Sequence, residues 1–374
     1  MKLGILCTMI NGFGRKGYYN TQEIGLGRAL VRLGHTVVIY KCIKREGKAE
    51  VQKEKIEPGL VIYYLPTGGL GAHGFLPSKV LARDLDGILC FSDNQVFLPH
   101  IYHFCQKNGI GFVPYVGTTF SLHKGLRAWG MNAWFASGTC KIYRDNLVIA
   151  KTEGSAAQLS ALGVNDVTVA PVGLDTAVLK SDYRAYDRGE LRAEYGFDRD
   201  DVIICDVARL EPEKRPLDMI DIFCRVREKK NFKLLFVGDG PLAGEVDEKI
   251  ASLGLEADVR RISRIPYSQV WKIFSMSDYF VSLNRGEIFG MAIMEAVYYG
   301  VATAACAAAP GPSLILKEMD GHLLYAEDGE LEEWLTAPAP SRQFLERSAE
   351  KVVEKFSWNR CAETFVSILQ RSGE

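Results

Sequence analysis

The chain has 374 residues, long for one hydrophobic core and sufficient for two domains. Its 47% hydrophobic and 24% charged residues describe an ordinary globular protein, and a formal net charge of −1 excludes a global basic field drawing it to nucleic acid. Nine cysteines form neither a C-x-x-C pair nor a Cys/His ligand cluster, so buried free thiols in a reducing compartment are expected.

The first apolar run is KLGILCTMI, residues 2–10. It is reached without an apolar signal segment of the usual length, and no later stretch approaches the roughly 20 apolar residues of a membrane span. A cytoplasmic location is therefore expected. The run leads into a loop with Gly12, Gly14 and Gly17, a G-x-G-x-x-G pattern. A helix over 20–33 follows, closed by Gly34-His35. Strands are predicted at HTVVIYKCI (35–43), LVIYYLP (60–66), GILCFS (87–92), GFVPYVG (111–117), NLVIAKT (146–152) and VTVAPVG (167–173), with helices over 95–108 and 154–163. Near-continuous apolar strands alternating with helices indicate a parallel sheet covered on both faces.

The alternation pauses over 174–200, a charged stretch that suits a linker and a surface helix. It resumes with VIICDVARL (202–210), FKLLFVGDG (232–240), VRRISRI (259–265), YFVSLN (279–284), VATAACA (301–307) and GHLLYA (321–326). A helical tail over about 340–371 contains KFSWNR. The fold class is α/β, with two doubly wound parallel-sheet halves. Ligands bind such sheets beyond the carboxyl ends of the strands, so a cleft between facing strand ends is the expected active site.

The opening glycines fit a dinucleotide site poorly. The second strand ends in Tyr40, Lys41 and Cys42, with no carboxylate for a ribose. The loop is either a surface turn or a source of backbone N–H groups for an anion. The second half is more informative. In NRGEIFGMAIMEAVYYG (284–300), Glu287 falls at a helix mouth and Glu295 about one turn inside. A carboxylate there can accept hydrogen bonds from sugar hydroxyls, and a helix N-terminus favours phosphate. In VARLEPEKRP (207–216), Arg209 and Lys214 stand just past a strand end, placed for a pyrophosphate. VGDGP (237–241) is a strand-end glycine turn with a structural reading. The D-x-D pairs, Asp84/Asp86 and Asp198/Asp200, precede strands, the wrong end for a nucleotide-bound metal.

These segments together resemble the GT-B glycosyltransferases of family 4. The resemblance rests on Ala208-Arg209-Leu210 with Lys214, on VGDGP, on SRIP at 263–266, on Ser277-Asp278, and on Glu287-Ile-Phe-Gly with Glu295-Ala296. APVGLD at 170–175, FSW at 356–358, and Gly17 with Gly34-His35 add to it, so it spans nearly the whole chain. It implies two Rossmann-like domains facing a central cleft: residues 1–180 on the acceptor side and 195–355 on the nucleotide-sugar side. The terminal helix, about 357–374, packs back on the first. It implies a retaining transfer of a hexose-type sugar from a nucleotide-sugar, UDP-linked by default, to an acceptor hydroxyl in polysaccharide or glycolipid assembly.

Carried over by position, Arg209 and Lys214 bind the donor pyrophosphate, Glu287 contacts the donor sugar and Glu295 holds the ribose. The backbone at Phe289, Gly290 and Met291 meets sugar and phosphate, and Arg264 and Ile265 line the base pocket. Gly14 and Gly17 belong to a loop closing over the phosphates. No cofactor and no metal are required, because fixed cations stabilise the leaving diphosphate. Two positions depart from the family. Gly117 stands where a His is frequent, followed by Thr118 and Thr119, with His123 as a substitute or an ordinary loop residue. Ile288 stands where Gly is frequent. Residues 123–144 mix Trp129, Trp134 and Phe135 with basic residues, which fits either a packed amphipathic helix or a membrane-surface element reaching a lipid-linked saccharide. The rivals are a GT-B epimerase or hydrolase, a non-catalytic nucleotide-sugar-binding subunit, and a Rossmann oxidoreductase.

Overall fold

The computed structural model describes residues 1–10, 21–45, 50–71, 73–93, 95–119 and 125–372. Gly14, Gly17 and His123 lie outside the described residues. Two units are distinguished: the first takes the described residues up to Asp175 and those from Ser357, the second Thr176–Phe356.

Unit 1 carries β1 (Lys2–Cys7), α1 (Gln22–Arg32), β2 (Thr36–Lys44), β3 (Gln52–Glu57), β4 (Leu60–Thr67), the short pair β5 (Gly69–Leu70) and β6 (His73–Gly74), β7 (Gly87–Phe91), α2 (Leu98–Asn108) and β8 (Gly111–Val116). It continues through α3 (Gly125–Trp134), α4 (Cys140–Arg144), β9 (Val148–Ala150), α5 (Glu153–Ala161) and β10 (Val167–Val169). Its main sheet runs β10-β9-β8-β7-β1-β2-β4-β3. All pairings are parallel except β3 on β4. The apolar runs are buried because helices cover the sheet: Leu3, Ile5, Leu6, Ile39, Leu89 and Val148 are fully enclosed.

The stretch expected as one amphipathic helix is α3 joined to α4 through a π-helical turn, Phe135–Thr139. Packing holds only for its second half. Phe135, Ile142 and Tyr143 are buried, whereas Leu126 and Trp129 are 88% and 72% exposed.

Unit 2 carries α6 (Arg188–Glu194), β11 (Val202–Val207), α7 (Pro216–Val226), β12 (Phe232–Val237), α8 (Ala243–Ser252), β13 (Val259–Ile262), α9 (Val270–Met276), β14 (Tyr279–Ser282), α10 (Met291–Tyr298), β15 (Ala302–Cys306), α11 (Pro310–Leu316), β16 (Leu323–Tyr325), α12 (Asp328–Thr336) and α13 (Arg342–Lys355). Its sheet is parallel throughout, in the order β13-β12-β11-β14-β15-β16. Counted from β11 this is 3-2-1-4-5-6, the doubly wound order, and the strand order reverses between β11 and β14. That reversal opens a crevice at the carboxyl ends of two adjacent strands, and it places the site.

The helical tail is broken rather than continuous. Phe356 packs edge-on against Phe289 in unit 2, and α14 (Trp358–Ser372) belongs to unit 1. Trp358 is buried against Gly25 and Gly173. A Cβ at Gly173 would lie 2.2 Å from the Trp358 nitrogen, so the backbone approach there admits no side chain. Eight of the nine free cysteines are buried, Cys224 being exposed. Among the described residues no helix is long and apolar enough to cross a membrane.

Candidate functional site

The site grows from the loops that leave β11 and β14. After β11 the chain runs through Ala208, Arg209 and Leu210 against the loop that follows β12. The Leu210 N–H donates to Asp239 O at 3.0 Å, and Leu242 N–H donates to Leu210 O at 3.1 Å. A Cβ at Gly238 would sit 1.7 Å from Ala208 O, and one at Gly240 2.5 Å from Leu210 O. The glycines of VGDGP therefore let one loop rest on the other and fix where Arg209 leaves the sheet. A 3-10 turn, Pro212–Lys214, then presents Lys214 before α7 begins.

After β14, Asn284 organises the turn. Its Oδ1 accepts the Gly286 N–H at 2.9 Å, and its Nδ2 donates to Glu287 Oε2 at 3.0 Å. Lys214 Nζ donates to the same oxygen at 2.5 Å. Two residues 73 apart in sequence thus meet at the switch point, each side chain 21% exposed. The Glu287 carbonyl accepts Gly311 N–H at 3.1 Å. Gly290, at φ +94°, opens α10, and no side chain among the described residues caps that helix. The Ile293 N–H donates to Gly290 O at 3.1 Å, so the N–H groups of Met291 and Ala292 are the ones available to an anion.

The other residues singled out by sequence are distributed around this centre. Arg209 pairs with Glu211 and is half exposed. Arg264 donates to Asp239 Oδ2 at 3.0 Å. Ile265 is half-buried, Phe289 and Gly290 are buried, and Met291 begins α10. Glu295 lies one turn inside the helix and is only 5% exposed; its Oε1 accepts the Tyr267 hydroxyl at 2.7 Å. A small cavity beside it is lined by Leu179, Val270, Trp271 and Tyr299. Glu287 is therefore the more open of the two carboxylates.

Three participants were not found by sequence reasoning: Asn284, Tyr267 and Asp206. Asp206 is buried near the end of β11, and desolvation raises its pKa to about 7 against the opposing pull of Lys214. Its signal was present, a lone carboxylate inside the apolar run VIICDV.

In unit 1, Thr118 and Thr119 are buried past the end of β8. Asp93 Oδ1 accepts the N–H groups of Gly117 and of Thr118, the latter at 3.3 Å, and its Oδ2 accepts Lys151 Nζ at 3.0 Å. Thr119 Oγ1 donates to Gln158 Oε1 at 2.9 Å, and Ser155 Oγ to Gly117 O at 2.6 Å. The space beside Gly117 is occupied: a Cβ there would stand 2.9 Å from Lys151 Cδ. At the amino ends of strands, Asp84 pairs with Lys2, Asp86 accepts the Lys2 N–H at 2.6 Å, and Asp198 and Asp200 precede β11.

Comparison with known proteins agrees with this layout. Residues 187–337, which contain the loops of the switch point, match the family model described as glycosyl transferases group 1. The N-acetyl-alpha-D-glucosaminyl L-malate synthase of Bacillus anthracis is 26% identical over 195 residues, 50% of this chain and 51% of that protein. The chain thus spans about half the length of that relative. The D-inositol 3-phosphate glycosyltransferase of Mycobacterium avium is 26% identical over 408 residues, 96% of this chain and 90% of that one. The sucrose-phosphate synthase structure from Thermosynechococcus elongatus superposes with a TM-score of 0.74 at 16% identity, covering 100% of this chain and 99% of that one. With two Rossmann-like units and the family segment lying over the second, the chain is similar to the GT-B glycosyltransferases of family 4.

Proposed function

We propose that the protein is a retaining, metal-independent glycosyltransferase that moves a hexose-type sugar from a nucleotide-sugar, UDP-linked in the first instance, to an acceptor hydroxyl. The observation that carries this reading is the meeting of Lys214 and Glu287 at the switch point of the second sheet. Cleaving a sugar–phosphate bond places negative charge on the departing diphosphate and positive charge on the anomeric carbon. Lys214 and Arg209 provide fixed cations for the first, and the uncapped turn of α10 adds N–H dipoles. Without ligand, Glu287 neutralises Lys214. An arriving diphosphate takes the ammonium and leaves Glu287 to accept hydrogen bonds from the sugar hydroxyls.

Glu295 accepts from the ribose, Arg264 and Ile265 line the base, and the backbone of Phe289, Gly290 and Met291 meets sugar and phosphate. Thr118 and Thr119 stand on the acceptor side. The acceptor oxygen attacks the face that the phosphate leaves, and the leaving phosphate takes its proton, so no enzyme nucleophile is needed. We further propose an acceptor that is a saccharide or lipid-linked saccharide of surface polysaccharide or glycolipid assembly. Exposed Leu126 and Trp129, with the exposed basic residues Lys141 and Arg144 further along the helical stretch, support peripheral contact with the cytoplasmic membrane face.

The test is a melting-temperature screen of nucleoside diphosphates and their sugars on chelator-treated protein, followed by NMR of the product's anomeric configuration. Stabilisation by one nucleotide class and retention at the anomeric carbon are expected. Inversion, or turnover only after a divalent metal is returned, contradicts the proposal.

A further inference from the structure

A cavity of about 570 Å³ opens in unit 2 at the end of the sheet opposite Lys214 and Glu287. Its floor is Ser277 and Asp278, which lead into β14, with Gly300 and Ala302, where β15 begins. The 3-10 turn Tyr183–Ala185, α6 and the start of α13 supply its sides. Small-molecule sites measure about 300–1,000 Å³, so the space suits an organic ligand rather than a single inorganic ion.

The walls are basic. Arg184, Arg188, Arg192, Arg199 and Arg342 line the cavity against Asp187, Asp278 and Glu346, an excess of two positive charges. Asp278 is shared. Its Oδ1 accepts Arg188 Nη2 at 2.9 Å, and its Oδ2 accepts Arg192 Nη2 at 2.7 Å and the Ile203 N–H at 2.8 Å. One carboxylate cannot neutralise two guanidinium groups. Arg192 is buried and occupied at every nitrogen, with Nε on Met276 O at 3.1 Å and Nη1 on Arg199 O. Arg188 is half exposed, and all its acceptors lie on Nη2. Its Nε and Nη1 therefore have no acceptor among the described residues. Arg184 donates from Nε to the Tyr183 hydroxyl at 3.1 Å, and its two Nη groups are in the same condition. Free guanidinium edges match phosphate oxygens in pairs. A phosphate monoester carries about −1.5 to −2 at pH 7, which balances the excess.

An organic group has a surface to rest on. Tyr183 packs edge-on against Tyr299, with ring centroids 5.0 Å apart, and donates its hydroxyl to Tyr298 O at 3.3 Å. Tyr186 packs on Trp271 with centroids at 4.6 Å and is 42% exposed. Both tyrosines line the cavity, so two rings are held in place before any ligand arrives.

We propose that this cavity binds a small organic phosphate monoester, with its phosphate on Arg184 and Arg188 and its organic part against Tyr183 and Tyr186. The site is separate from the donor site and does not rest on the transferase reading.

The test is isothermal titration of the full chain with phenyl phosphate, in buffer free of phosphate. Phenyl sulfate, with one charge, and inorganic phosphate, with no ring, are the comparators. Saturable binding of phenyl phosphate is expected, with both comparators weaker. Arg184→Gln and Arg188→Gln should each weaken it about five- to tenfold, and Arg188→Lys, which keeps the charge, should lose less. The one hydrogen bond of Arg184 goes to its neighbour's hydroxyl, so its replacement leaves the fold in place. Lys214→Met should bind phenyl phosphate as the wild type does. No saturable binding below about 10 mM overturns the assignment, as does equal affinity in wild type and both glutamine variants. So does either comparator binding as tightly as phenyl phosphate, or binding lost in Lys214→Met, which would move the ligand to the donor site.

Discussion

Replacing Lys214 with methionine keeps the aliphatic stem and removes the charge. In the ligand-free protein this breaks the 2.5 Å contact with Glu287, whose Oε2 retains Asn284 at 3.0 Å. Each side chain is 21% exposed, so the pair is partly screened. It is worth about 1 kcal/mol, or a fall of roughly 2–4 °C in melting temperature. With diphosphate bound, Lys214 makes a charge-assisted hydrogen bond of about 1.5–3 kcal/mol. Taking the ammonium from Glu287 offsets about 1 kcal/mol of that, leaving roughly 0.5–2 kcal/mol. UDP binding should therefore weaken about two- to thirtyfold in Lys214→Met. Uridine has no phosphate, and its affinity should change by less than about twofold. Isothermal titration of both proteins with both ligands reads the difference. Equal losses for UDP and uridine would indicate a distorted site, and an unchanged UDP affinity would remove Lys214 from the diphosphate.

Gly290→Ala tests the entrance to α10. Its φ of +94° and a Cβ that would fall 2.8 Å from Ile293 Cδ1 both oppose a side chain, so urea denaturation should show a loss of about 1–3 kcal/mol. An alanine variant as stable as wild type would contradict the strain. Asp206→Asn tests the buried acid under Lys214. The folded pKa of about 7 lies above the ordinary 3.8, so between these values the native state holds a proton that the unfolded state has released. The stability linked to it is present below about pH 4 and is lost as pH rises through about 7. Relative to the asparagine variant, wild type should lose about 3 kcal/mol between pH 5 and pH 8 in urea melts, whereas parallel profiles would refute the shift. Leu126→Ser/Trp129→Ser should abolish co-flotation with anionic liposomes while leaving UDP binding intact. Wild-type protein that does not float, with or without anionic lipid, would remove the membrane proposal.

The sheets were legible because buried parallel strands are apolar without interruption, as in VIICDV and FKLLFV. The strand β3, QKEKIE, was not, because an antiparallel edge strand carries charge that discourages further pairing and so reads as polar loop. Strand-end positions were legible for the same reason that strands were: Arg209, Lys214 and Glu287 each follow an apolar run. What the chain does not show locally is pairing across loops. That Lys214 closes on Glu287, that Tyr267 covers Glu295 and that Lys151 fills the space beside Gly117 depend on strand order, which residue patterning leaves open. Leu126 and Trp129 show the same limit. Their spacing is that of a packed helix face, and only the fold reveals that nothing within the described residues covers them.

The most direct measurement is a crystal structure of the protein with UDP or a UDP-sugar bound. We predict the diphosphate within about 3 Å of Lys214 Nζ at the first turn of α10, with the ammonium withdrawn from Glu287 and Arg209 released from Glu211. Nucleotide bound elsewhere, with the Lys214–Glu287 contact intact, would contradict a donor site at the second switch point.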